Sequence, residues 1–258
     1  MTKISRSNLK VVFCFLLSHL FMNLYSQPSE IADEIIFKTY NMDFNEVPAK
    51  IEILKKTSPQ IAKYLKVEYL WWKMISTFNS STEALLLAEI SSLHDKNSEN
   101  ENYNKLIYFI YQIRYDNFKK RSFTRYLNLL KFHIFLQNID AVEIKKYDPF
   151  AISMFWLITE FDLYMEYKIL SHNMFQTKKN FNKLKSSLER IENIPNPENK
   201  SFDIIKTYLL GKIYLDIEIN YLKAFNKFQQ LSVMFPKNII FRETAAECKK
   251  HLINETGD

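Results

Sequence analysis

Hydrophobic positions recur along this chain with the spacing of one helix face. Val67, Leu70, Trp71, Met74, Ile75 and Phe78 follow i, i+3, i+4, i+7, i+8 and i+11, a single stripe. Phe181, Leu184, Leu188 and Ile191 make a second, and Phe241, Ala245, Cys248 and Leu252 a third. No segment alternates convincingly with period two, so strands are not expected. Helix starts are marked by capping residues before proline, at Ser58-Pro59, Asp148-Pro149 and Asn196-Pro197. Ser80-x-x-Glu83 and Ser98-x-x-Glu101 read as capping boxes. Together these signals predict helices over 30–41, 44–57, 59–78, 81–94, 99–117, 121–138, 149–172, 178–193, 198–216, 220–234 and 238–253.

Composition points the same way. Apolar residues make up 47% of the 258 positions, enough for a real core, whereas two glycines and seven prolines are too few for the turns of a sheet protein. The chain is expected to be all-α, about five antiparallel helix hairpins and a closing helix. Scarce glycine also excludes several site types: GxGxxG, GxxxxGK[ST] and GxSxG are all absent. Gly211, alone in the body of the chain, interrupts a strong helical pattern at a cost of about 1 kcal/mol relative to alanine. A close approach between helices is the expected reason, with Gly211 facing the small Ala224.

The pattern contains a divergent repeat. Counting back from Pro236 gives Leu231, Phe228, Ala224 and Tyr221; the same offsets from Pro59 give Leu54, Ile51, Val47 and Phe44. With Leu210-Gly211 and Tyr214 ahead of it, the first series resembles a tetratricopeptide repeat (TPR), with one extra residue between the helices. The resemblance covers residues 205 to 238 well, 36 to 60 partly, and the middle by helical rhythm. It implies a right-handed α-solenoid, with residues 27–258 forming one TPR-like helical repeat domain closed by a C-terminal capping helix. It also implies a non-catalytic scaffold that holds a protein or peptide on its concave face. In such a repeat the first helix of each hairpin lines that face. Carried onto this chain, the outward residues are Tyr208, Lys212 and Asp216, an aromatic surface, a cation and an anion at i, i+4 and i+8.

The amino terminus reads as an address. Residues 1–26 have Lys3, Arg6 and Lys10 at the start, an apolar stretch from Val11 to Tyr25 and the small Ser26, the layout of a secretory signal peptide. Cleavage before Gln27 is expected, with an uncleaved membrane anchor as the rival. Cys14 lies too early in the apolar stretch to be a lipidation site. Removal leaves Cys248 as the sole cysteine and no internal disulfide. A signal ending in Ser-Gln resembles those of certain Gram-negative bacteria, which places the chain in the periplasm or cell envelope.

Charge and reactive residues add little. The three cations of the leader account for half of the formal +6, and Lys119-Lys120-Arg121, Lys145-Lys146 and Lys178-Lys179 are scattered, so no nucleic-acid stripe is expected. His94, His133, His172 and His251 lie far apart, and none belongs to HExxH. No metal, cofactor or catalytic residue is therefore assigned, and Cys248 falls on a core stripe. Trp72, rotated off the stripe of Trp71, either fills a helix interface or lines a groove. The alternative function is a small-ligand, glycan-binding protein or enzyme with a pocket between helices.

Overall fold

A computed structural model describes residues 28–94, 101–139 and 200–256, with short pieces between 152 and 164 and between 186 and 194. Every regular element among the described residues is an α-helix. They are α1 (Pro28–Tyr40), α2 (Val47–Thr57), α3 (Pro59–Thr77), α4 (Ser80–Ser92), α5 (Glu101–Phe118), α6 (Ser122–Asn138), α7 (Lys200–Asp216), α8 (Tyr221–Met234) and α9 (Ile239–Thr256). These ends agree with the hydrophobic pattern to within three residues. Most of the helices expected over 149–172 and 178–193 lies outside the described residues. So do the starts expected at Asp148-Pro149, Asn196-Pro197 and Ser98.

Local chemistry explains most boundaries. Proline fixes the backbone at the first position of α3 and follows Ser58, whose non-helical backbone (φ −142°, ψ 73°) stops α2. Helix α4 starts one residue earlier than Ser80 would place it, because Asn79 is the cap: its side chain accepts from Ser81 N at 2.8 Å. Glu83 is thereby released from the expected capping box and instead accepts from Tyr115 Oη at 2.5 Å and pairs with Lys119 at 2.7 Å. The stripe of α3 also ends sooner than its spacing predicts. Val67, Leu70, Trp71 and Met74 are buried, but Phe78 takes a left-handed backbone (φ 49°) just beyond the helix and is 78% exposed. Once the helix stops at Thr77, the 3.6-residue period no longer aims its side chain inward.

The two matching series occupy matching places. Val47, Ile51 and Leu54 are buried along α2, as Ala224, Phe228 and Leu231 are along α8. Consecutive helices pack as neighbours: α2 on α3, α3 on α4, α5 on α6, α7 on α8 and α8 on α9. Helix α1 adds a contact that an open stack, in which each hairpin touches only its neighbours, does not make. It packs on α7 as well as on α2 and α3. Polar contacts tie α1 and the turn after it to α7 and to the turn between α8 and α9. Asp33 accepts from Ser201 N at 2.9 Å, Asn238 Nδ2 donates to the Tyr40 carbonyl at 2.7 Å, and Lys237 meets Asp43 at 2.6 Å.

Candidate functional site

Gly211 is buried where α7 crosses α8, and a Cβ there would lie 3.1 Å from Cε2 and Cζ of Phe228 and 3.3 Å from Cβ of Lys227. Close approach is therefore the reason for the residue. The group it accommodates is the Phe228 ring, one turn beyond the expected Ala224. Tyr214 lies on the same packing side and is buried.

The expected ligand face of α7 is packed at Tyr208 and open at Lys212 and Asp216. Tyr208 is half-buried and packs edge-on against Trp72 (5.4 Å between centroids), Tyr40 (6.3 Å) and Phe228 (6.4 Å), and tilted against Phe241 of α9 (5.9 Å). Lys212 and Asp216 pair with each other at 2.6 Å and stay open to solvent. Both lie close enough to Cys248 on α9 for their charges to act on its thiol, which burial pushes up. The structure thus leaves two of the three residues accessible and uses most of the third in packing. Trp72 is fully buried, so of its two possible roles it takes the interface one.

What sequence reading missed is the group that Trp72 serves. Glu68 of α3 is 1% exposed. Its Oε1 accepts from Tyr40 Oη at 2.6 Å and Trp72 Nε1 at 2.9 Å, and its Oε2 accepts from Tyr111 Oη and from Arg114 Nη1 at 2.8 Å. Helices α1, α3 and α5 are joined through this one carboxylate. The Arg114 guanidinium is boxed by rings, with its carbon 4.6 Å from the centre of Trp71, 5.0 Å from Tyr111 and 5.9 Å from Tyr208. Through Tyr208 the network reaches α7.

The electrostatics follow from burial. Loss of solvent pushes the Glu68 carboxyl up, but Arg114 and the donors from Tyr111, Tyr40 and Trp72 outweigh it and hold the group below the ordinary carboxylate range. Burial likewise works against the Arg114 charge, and Glu68 more than offsets it. Burial, with the Glu68 charge beside them, raises the Tyr40 and Tyr111 hydroxyls far above the usual phenol range, so both remain donors. One sequence signal could have found Glu68. Ile61, Leu65, Glu68 and Trp72 share a helix face at i, i+4, i+7 and i+11, which puts an acid on an otherwise apolar line.

Elsewhere the reactive residue types are spread out. His94 lies against Tyr108 at 5.0 Å, and His251 stacks on Tyr221 at 4.2 Å. Glu160 pairs with Arg190 at 2.8 Å. Among the described residues no group of three His, Cys, Asp or Glu is placed to hold a metal. A shallow depression of about 550 Å³ lies on the outer side of α8, lined by Asn226, Gln229, Gln230, Val233 and Met234. Comparison of the chain with models of known protein families, with curated proteins and with solved structures returned no match.

Proposed function

We propose that this chain is a non-catalytic, TPR-like scaffold of the cell envelope that binds a protein segment through its C-terminal hairpin. In this reading the hairpins coil as a right-handed α-solenoid, wound tightly enough for the first helix to meet the last hairpin. The observation that carries the proposal is how the best-placed carboxylate is spent. Glu68 accepts four hydrogen bonds from its own chain and is 1% exposed, so no acid–base chemistry on a substrate is left to it. The unspent surface of the α7–α8 hairpin has the chemistry of peptide recognition. It offers the exposed Lys212–Asp216 pair, the edge of Tyr208, and an outer face where side-chain amides flank Val233 and Met234. Amide side chains both donate and accept, as a peptide backbone does.

The leader supports export, with the mature protein starting near Gln27 in the periplasm. The alternative of a glycan or other small ligand held between helices is weakened by the filling of the space beside Tyr208 with Tyr40, Trp72, Phe228 and Phe241.

Photo-crosslinking in intact cells tests the proposal. A crosslinker at Lys212 or Gln229 should capture one discrete protein, and Lys212→Glu with Val233→Glu should weaken binding of that protein about tenfold or more, since each exposed contact is worth about 1 kcal/mol. Val233 is exposed, the Lys212 side chain is 40% accessible, and its pair with Asp216 is worth only a few tenths of a kcal/mol to the helix, so the thermal midpoint should hold. Unchanged affinity in the double variant, or a large thermal stabilisation by a glycan with no crosslink, overturns the reading.

A further inference from the structure

Helix α6 is apolar on two opposite sides. One side packs on α5, where Phe132 meets Phe109 at 5.6 Å and the buried Asn128 donates to Asp116 at 2.7 Å. The other carries Phe123, Tyr126, Leu127, Leu130 and Ile134, at i, i+3, i+4, i+7 and i+11, and all five are exposed. Phe123 is 75% accessible, Tyr126 62% and Ile134 50%. A helix that is apolar around its circumference is ordinarily covered on both sides. This stripe runs for about 16 Å at 1.5 Å per residue, well beyond a scatter of single exposed side chains.

The surroundings of the stripe are basic. From Asn117 to Ile139 the sequence has five lysines and arginines and no aspartate or glutamate. Lys119-Lys120-Arg121 form the turn at which the stripe starts, and Phe118 on that turn stacks with the exposed Phe78 at 6.4 Å. Lys119 is paired with Glu83, Arg121 lies over the Tyr115 ring at 5.5 Å, and Arg125 donates to Asn117. Lys120 and Lys131 are exposed, and no carboxylate of the described residues forms an ion pair with either.

We propose that α6 and the α5–α6 turn form a peripheral docking surface for an anionic phospholipid bilayer. The stripe enters the boundary between headgroups and acyl chains, and Lys120, Arg121 and Lys131 lie against lipid phosphates. Charge selects this occupant. A second copy of the chain would bring this basic segment against itself, and the segment holds no aspartate or glutamate of its own, Glu83 answering only Lys119. The stripe also matches an acyl boundary chemically, since its only polar side-chain atom is the Tyr126 hydroxyl, and aromatic side chains with basic neighbours suit the interfacial layer. None of the described helices is long and apolar enough to cross a membrane, so the surface lies on the bilayer. This contact is separate from the peptide-binding face on the α7–α8 hairpin, and either can fail without the other.

Co-sedimentation of the purified protein with vesicles tests it, using phosphatidylcholine alone and phosphatidylcholine with about one third phosphatidylglycerol. Binding is expected to the anionic vesicles only, and to fall in about 0.5 M salt, where charges are screened within a few ångströms. Each cation near such a surface contributes about fivefold, so Lys120→Glu with Lys131→Glu should weaken binding at least tenfold. Phe123→Ser with Leu130→Ser should do the same, with both pairs of variants keeping the thermal midpoint of the parent because the positions are exposed. Equal binding to neutral vesicles overturns the proposal, as does unchanged binding of the stripe variant. A dimer seen by sedimentation velocity and lost in the stripe variant would assign the stripe to a second copy and overturn it as well.

Discussion

Replacing Glu68 by glutamine keeps the shape of the side chain and removes its charge. The carboxylate serves Tyr40 and Trp72 through Oε1, and Tyr111 and Arg114 through Oε2. An amide has one acceptor oxygen, so whichever way it turns, two of these four donors face an NH2 group. If the oxygen stays with Tyr40 and Trp72, the Arg114 bond is lost and a partly buried cation stands unanswered. Breaking a buried pair in this way costs about 3–5 kcal/mol, and losing two charge-assisted hydrogen bonds at about 1.5–3 kcal/mol each gives a similar sum. For a chain of this length that lowers the thermal midpoint by roughly 6–20 °C. Calorimetry and urea unfolding would measure it, and Arg114→Met in the Glu68→Gln background closes the cycle. The double variant should recover part of the loss, because the stranded charge is gone. A loss below about 1 kcal/mol, or strictly additive effects, would refute the account of Glu68 as the joint between α1, α3 and α5.

The same variant carries a pH signature. The folded carboxyl is held below its unfolded value of about 4.3. Its contribution is therefore complete above that value and is lost as pH falls through the lower folded one. The stability gap between the parent and Glu68→Gln should narrow steadily below about pH 4. A gap that stays constant down to pH 3 or widens there would contradict the ion pair.

Substitutions at two further positions probe close packing and backbone strain. Gly211→Leu should cost about 1–3 kcal/mol by overpacking against Phe228. Gly211→Ala should stay within about 1 kcal/mol of the parent, its propensity gain set against a 3.1 Å contact with a buried ring, and should become stabilising when Phe228→Leu opens the site. A fully stable Gly211→Leu protein in urea unfolding would remove the close-approach explanation. Phe78→Gly should stabilise by about 1 kcal/mol, because a bulky side chain in the left-handed region is unfavourable and this ring is mostly in water. Destabilisation of similar size would mean that stacking on Phe118 outweighs the backbone strain.

Local physics made the helices readable from the chain alone. Period, proline and capping residues act over a few positions, so the spans of α2, α3, α6 and α8 and the burial of Val47, Ile51, Leu54, Ala224, Phe228 and Leu231 follow from nearest neighbours in sequence. Gly211 announced a close contact for the same reason, since its cost to the helix needed a return. Which residue filled that contact depended on how far α8 slides along α7, and no local rule sets that. The Glu68 network lies further still from sequence reading. Tyr40, Glu68 and Arg114 belong to three helices, and one carboxylate satisfies their donors only after α1, α3 and α5 have been brought together. Tyr208 shows the converse. Its spacing puts it on one face of α7 with Lys212 and Asp216, but the rings of Tyr40 on α1 and Phe241 on α9 take most of Tyr208 into packing while Lys212 and Asp216 stay open to solvent. The exposed stripe of α6 is also a tertiary outcome, because periodicity marks a residue as apolar and only the arrangement of neighbours decides whether anything covers it.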